Sequence, residues 1–246
     1  MKIAVLADIH SNIEALDACL DDAFTRGADS VVALGDFVGY GPDPEAVIDR
    51  MTGLGEKLRC AVMGNHDAAV LHGDTGMNDE AFAAIEWTRP RLSSAHRAFL
   101  ESLPLIIADG DATWTHGSAE EPAGFHYVVD AAEARASIEA AGTPYVFCGH
   151  VHDPALYFAG AGGRYMPFLP TPGVTIPVSP HRRWLGIIGS CGQPRDGLTG
   201  GWYALFDTDH ARLTWYRVQY DAAATARKIR AAGLPERFAM LVEGVY

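Results

Sequence analysis

The sequence predicts an α/β fold, and two observations carry that expectation. Apolar runs of strand length alternate with stretches of helical periodicity, and four of the runs lead into Asp, Asn or His, three of them through a glycine. In an open α/β sheet, ligands bind beyond the carboxyl ends of the strands, so these polar tips are expected to meet at one edge. At 246 residues and 48% hydrophobic content, the chain can bury a sizeable core and reads as a single domain, residues 1–246.

Residues 2–7, 30–34, 58–63 and 144–148 read as buried parallel strands. After the first, Ser11-Asn12-Ile13-Glu14 has the form of a capping box, and Ile13, Leu16, Leu20 and Phe24 continue at helical spacing until Gly27. Asp43-Pro44 reads as an N-cap with proline at the first helical position, which predicts a helix to residue 51. Asn65-His66-Asp67 is expected as a turn that opens a loop. Residues 78–102 predict two helices divided near Pro90, and residues 105–108 and 112–115 predict a hairpin with His116 at its exit. Residues 131–141 read as a helix. Pro167, Pro170, Pro172, Pro177 and Pro180 make residues 160–180 an irregular excursion, expected to cover or shape a pocket. Residues 201–206 and 211–218 are expected to complete a second sheet, and residues 221–244 return to a helical pattern broken at Gly233-Leu234-Pro235.

The formal charge of −12 argues against a stable, sequence-independent grip on a nucleic-acid polymer, which needs a basic stripe. No apolar run approaches the length of a membrane span, and the one before Asp8 is too short for a signal peptide, so a soluble, cytoplasmic protein is expected. Cys19, Cys60, Cys148 and Cys191 are scattered, which suggests neither a disulfide framework nor a structural zinc site.

Five short motifs carry seven potential metal ligands: Asp8-Ile9-His10, Gly35-Asp36, Gly64-Asn65-His66-Asp67, His116-Gly117 and Gly149-His150-Val151-His152. Taken singly, Asp8, His10, Asp36, Asn65, His116, His150 and His152 would default to capping or hydrogen bonding. Together they are the inventory of a two-metal hydrolase, in which ions about 3.5 to 4 Å apart clamp phosphoryl oxygens and hold a hydroxide for in-line attack. Asp36, preceded by a glycine that permits a tight turn, is the candidate bridge. Asp8 and His10 are two residues apart, so an extended backbone would point both to one side; His150 and His152 share that spacing. Mixed oxygen and imidazole ligands suit Mn²⁺, Fe or Zn²⁺ better than Mg²⁺ alone. The expected cofactors are two divalent metal ions, Mn²⁺ first, with Fe, Zn²⁺ or Ni²⁺ as alternatives. His66 is the candidate proton donor to a leaving alkoxide, with Asp67 able to orient its ring.

These motifs, in this order over residues 8–152, resemble those of the calcineurin-like metallophosphoesterase family. The resemblance implies a four-layer αββα sandwich of two mixed β-sheets flanked by helices. It also implies one metal held by Asp8, His10, Asp36 and His152, a second held by Asp36, Asn65, His116 and His150, and a catalytic pair in His66 and Asp67. Residues 39–44 and 189–197 resemble a small prokaryotic, phosphodiesterase-like branch. Relatives there often carry Asn-Pro where this chain has Ile187-Ile188, and a basic residue where it has Ala119-Glu120-Glu121.

The activity so implied is that of a dinuclear metal-dependent phosphoesterase acting on a small phosphate ester, with a phosphodiester favoured. A phosphomonoesterase or protein phosphatase is the alternative, and a non-catalytic interaction scaffold a further one. Tyr40 and Arg195 are candidate pocket residues, with turn packing as the competing reading. His72, His96, His126, His181 and His210 belong to no motif and read as solvated or packed imidazoles.

Overall fold

Alternation along the first strand divides the interior. Ile3, Val5 and Ala7 face one hydrophobic core, while Ala4 and Leu6 face another. The computed structural model describes residues 1–73 and 76–245. In chain order these form β1 (Lys2–Leu6), α1 (Ile13–Thr25), β2 (Ser30–Ala33), α2 (Pro44–Thr52), β3 (Leu58–Ala61), α3 (Asn65–His72), α4 (Asp79–Thr88), α5 (Ser94–Glu101), β4 (Ile106–Asp109) and β5 (Ala112–Thr115). There follow α6 (Ala131–Ala141), β6 (Tyr145–Cys148), β7 (Ala155–Ala159), β8 (Tyr165–Phe168), β9 (Thr175–Pro177), β10 (Trp184–Ile187), β11 (Gly201–Asp207), β12 (Arg212–Val218), α7 (Ala222–Ala231) and α8 (Glu236–Val242).

Two six-stranded mixed sheets result, ordered β3-β2-β1-β11-β12-β9 and β4-β5-β6-β10-β7-β8. Between them lies a core rich in large rings, including Trp114, Phe147, Trp202, Phe206 and Trp215. Trp114 stacks on Phe147 with centroids 4.9 Å apart. The outer face of the first sheet buries Leu16 and Leu20 of α1, Val47, Ile48 and Met51 of α2, and Leu100 of α5. The outer face of the second meets Ala134 and Ile138 of α6. Helix, sheet, sheet and helix thus form the four-layer sandwich that the family resemblance implied.

The parallel portions matter most for function. β1, β2 and β3 run parallel in one sheet, as do β5, β6 and β10 in the other. Their carboxyl ends open on a common edge, where every motif that carries a candidate ligand emerges.

Several local expectations change. The four motif-bearing strands do not share one open sheet, because β6 belongs to the second. Residues 201–218 join the first sheet: β11 pairs antiparallel with β1, satisfying the edge that β2 leaves open. The proline-rich excursion contains β8 and β9, and each lies at a sheet edge, where the missing proline N–H costs no ladder bond. The N-cap of α1 is Asn12 rather than Ser11; the Asn12 side chain accepts from Ala15 N, whereas Ser11 has a φ of 51°. Asn65-His66-Asp67 is the first turn of α3 rather than a loop, because Asp67 accepts the Gly64 N–H at 3.0 Å. The helix pairs over residues 78–102 and 221–244, the hairpin, and the helix over residues 131–141 form as expected.

Trp114→Ala is expected to lower unfolding free energy by about 3 to 5 kcal/mol, read from urea denaturation. A loss below about 1 kcal/mol would contradict packing of the two sheets through this ring.

Candidate metal centre

The loops at this edge are held in unusual backbone conformations. Asp8, His10, Ser11, Asp36, Tyr40, Phe125, His150 and His152 all have positive φ; of the nine such non-glycine residues described, only Ala211 lies elsewhere. Left-handed backbone costs a non-glycine residue roughly 1 to 3 kcal/mol, and such strain clusters at functional sites. The extended D-x-H geometry read from the sequence is therefore replaced. Left-handed backbone at Asp8 and His10, φ 53° and 49°, goes with side chains that converge with His152 in one buried group.

The structure brings all seven predicted ligand residues together. Asp8, His10 and His152 form one buried donor group, and Asp36, His116 and His150 another. Asn65 adds its Oδ1, 3.1 Å from His116 Nε2. Asp36 Oδ2 lies between the groups, 3.6 Å from His10 Nε2 and 3.4 Å from His116 Nε2. Its Oδ1 accepts the His66 backbone N–H at 2.8 Å, which fixes the carboxylate plane.

Backbone carbonyls decide which nitrogen each imidazole turns inward. Nδ1 of His10 faces Val38 O at 3.1 Å, Nδ1 of His116 faces Leu34 O at 2.7 Å, and Nδ1 of His152 faces Gln193 O at 2.7 Å. A carbonyl only accepts, so each Nδ1 carries the proton and each Nε2 is left to face the centre. Burial pushes His10 and His152 well below the ordinary imidazole range, despite the raising effect of the Asp36 carboxylate, so both rings are neutral. Their Nε2 atoms nevertheless approach to 3.1 Å. Two lone pairs at that distance with no proton between them fit a cation, and this donor set fits a divalent metal.

The second group shows the same demand for positive charge. Burial opposes protonation of His116, yet the Asp36 carboxylate prevails and pushes it up to about 9. Burial also opposes ionisation of Asp36, but His116, His66 and His10 together hold it well below the carboxylate range. His150 is held down to about 3, chiefly by burial and by His116. Its Nδ1 lies 3.2 Å from His116 Nε2.

His66 lies beside this constellation. Its ring packs against Tyr40 at 4.4 Å and His10 at 4.7 Å, and its buried Nδ1 has no hydrogen-bond partner. A nitrogen of His66 also falls within the donor group of His10 and Asp36. Gly39, at φ 89°, is the floor beneath the ring, and a Cβ there would overlap His66 Nδ1. Asp67 is not the partner that orients this ring. Its carboxylate instead accepts the backbone N–H groups of Asp36 at 2.8 Å, Phe37 at 2.9 Å and Gly64 at 3.0 Å. Burial and the Asp36 charge push Asp67 up to about 7 even though these amides favour its ionised form.

A cleft of about 470 Å³ opens over the donors, lined also by Tyr40, Asn78, Phe125, Tyr127 and Arg195. Arg195 donates to the Tyr40 hydroxyl at 3.4 Å, and among the described residues no carboxylate lies within ion-pair distance of it. Its neighbour Asp196 is engaged by Arg217.

A family model described as the calcineurin-like phosphoesterase superfamily domain matches residues 1–211. The chain belongs to that superfamily. A crystallised metallophosphoesterase from Sphaerobacter thermophilus is 36% identical, with each chain covering 100% of the other and a TM-score of 0.87. An uncharacterised protein of Methanocaldococcus jannaschii is 34% identical, over 95% of this chain and 94% of its own. A hypothetical protein of Pyrococcus horikoshii shares the fold at a TM-score of 0.79 and 20% identity, over 98% and 97% of the two chains. This calcineurin-like phosphoesterase is accordingly a metal-dependent phosphoester hydrolase with a divalent metal centre.

Sequence reasoning missed three features of the calcineurin-like site. The carbonyls of Leu34, Val38 and Gln193 leave no trace in residue identity. Ser190 Oγ, which donates to Asp8 O at 2.8 Å, was visible only as part of a glycine-rich motif. Phe125 and Tyr127 lie in a stretch where only the neighbouring His126 had drawn notice, and that ring turns to Glu121.

Asp67→Ala would strand several buried N–H donors at once. It is expected to lower the stability of the metal-free protein by about 2 to 4 kcal/mol in urea unfolding. An unchanged midpoint would contradict the clamp.

Proposed function

We propose that this chain hydrolyses small phosphodiesters at a dinuclear centre. In this reading Asp8, His10, Asp36 and His152 hold one divalent cation, and Asp36, Asn65, His116 and His150 hold the second. The observation that carries it is the position of Asp36 Oδ2 between His10 Nε2 and His116 Nε2, one from each donor group. When bound, the two ions supply Lewis-acid charge to the phosphoryl oxygens and activate water for in-line attack. Mn²⁺ is the proposed metal, since the donors mix carboxylate and amide oxygen with imidazole.

The chain's own residues supply positioning and a proton. Backbone carbonyls hold three imidazoles in one tautomer, and Asp67 holds the loop that carries Asp36, so the donors need not reorganise on binding. His66, buried against Tyr40 and Gly39, is the proposed acid for the leaving oxygen. Burial holds its ring down to about 4, despite the raising effect of Asp36. An anionic ester beside it favours the imidazolium, so protonation accompanies substrate binding.

The cleft favours a diester. A diester carries a single negative charge and two organic groups, and the cleft offers one guanidinium without an acid partner, at Arg195. It also offers aromatic walls on both sides of Asp36: Tyr40 against His10 and His66, and Phe125 with Tyr127 against His116 and His150. The four cysteines are free thiols, in keeping with the proposed cytoplasmic location.

The direct test is Mn²⁺-supplemented hydrolysis of bis-p-nitrophenyl phosphate against p-nitrophenyl phosphate. The diester is expected to show the higher kcat/KM, and chelation to abolish both activities; a higher value for the monoester would favour the phosphomonoesterase alternative. His66→Gln should lower kcat by about 10² to 10⁴ for a diester with a poor alkoxide leaving group. p-Nitrophenolate needs no proton, so its loss should be at most about tenfold, with bound metal unchanged. Equal losses for both esters would sink the acid role.

A further inference from the structure

Phe125 and Tyr127 belong to no ligand motif, and as a wall of the cleft they have so far only a general role. They follow the short 3₁₀ turn Pro122–Gly124, and Phe125 holds a φ of 46° that a bulky side chain rarely adopts. The segment is pinned against the strand exit. Ser118 N donates to His126 O at 2.9 Å, and a Cβ on Gly117 would come within 2.8 Å of that same oxygen.

The pinning sets both rings on metal-donor imidazoles. Phe125 meets His116 edge-on, with centroids 5.9 Å apart, and Tyr127 stacks on His150 at 3.9 Å and an interplanar angle of 14°. One face of Tyr127 is therefore occupied, yet the residue is 51% exposed. Its outward face has no other ring contact among the described residues. Tyr127 lines both the metal cleft and an adjoining cavity of about 160 Å³ that runs past Arg195 to Phe238 and Leu241. A rigid aromatic platform thus borders the donors, with a guanidinium across the same opening.

Resting on the phosphoester reading above, we propose that Tyr127 determines specificity by stacking a planar aromatic group, nucleobase or aryl ring, carried by the ester. Such a platform tolerates many flat groups because every one has a π-face, and a stack already fixed on His150 loses little side-chain freedom on binding. The Arg195 guanidinium sits where it can meet phosphoryl charge while the flat group lies on Tyr127. An aliphatic ester gains nothing from this wall.

The test compares kcat/KM of the Mn²⁺-loaded wild type, Tyr127→Leu and Tyr127→Phe on a dinucleoside monophosphate, bis-p-nitrophenyl phosphate and glycerophosphocholine. Tyr127→Leu should lower the ratio of flat-group to aliphatic ester at least tenfold, mainly through KM, and Tyr127→Phe should keep the wild-type ratio. Loss confined to the dinucleotide supports the proposal and identifies a nucleobase; loss shared with the aryl ester supports it for planar groups in general. An equal change on all three esters, or none, overturns it, since Tyr127 would then only buttress His150 or do nothing. Binding of etheno-adenosine monophosphate, followed by its fluorescence, separates the two readings. If the wild type hydrolyses none of the esters but Tyr127→Leu still weakens this binding tenfold, the phosphoesterase reading fails and the platform stands; if binding is also unchanged, both fail.

Discussion

Three hydrogen bonds to backbone carbonyls govern this molecule's active edge. By accepting from the Nδ1–H groups of His10, His116 and His152, the carbonyls of Val38, Leu34 and Gln193 turn three Nε2 atoms inward, those of His10 and His116 onto Asp36 and that of His152 onto Asp8. In the absence of positive charge that arrangement is repulsive. The electrostatics register the conflict: His10 and His152 are held neutral with lone pairs 3.1 Å apart, while His116 retains a proton against burial because Asp36 demands one. In the proposed dinuclear reading, a divalent cation on either side of the carboxylate would resolve it. The strained loops and the Asp67 clamp are what keep the donors in place before any ion arrives.

The sandwich serves this constraint. Loops from two different sheets must reach one point, and the parallel portions of the sheets send their carboxyl ends to the same edge. β1, β2 and β3 deliver Asp8, His10, Asp36 and Asn65, while β5, β6 and β10 deliver His116, His150, His152 and the Gln193 carbonyl. A core of tryptophan and phenylalanine between the sheets fixes their separation. The matched family domain ends at residue 211, yet α8 contributes to the site: Phe238 packs 4.8 Å from Tyr40, which in turn walls His10 and His66. Lys228 of α7 pairs with Glu14 of α1 and with Asp43, which ends the loop that carries Tyr40.

What the sequence made legible were the features with a local physical cause. Strand runs, most helices and the clustered Asp, His and Asn residues follow from periodicity and side-chain chemistry, and all seven expected ligand residues meet in space. Sheet membership was not legible, because residues 201–207 carry no local mark of which edge they will pair with. Pro167 and Pro177 concealed β8 and β9, since their tolerance depends on an edge position that only the fold supplies. Asp67 was expected to face its sequence neighbour's ring. Left-handed backbone at Asp36 instead presents a row of amides, and a buried carboxylate takes donors in preference to a second imidazole.

Metal stoichiometry tests the central claim most directly. Protein loaded with Mn²⁺, freed of excess and analysed for metal should carry close to two ions per chain, and anomalous scattering should place one on each side of Asp36. A single ion held by both donor groups, or fully retained metal in Asp36→Ala, would contradict the account.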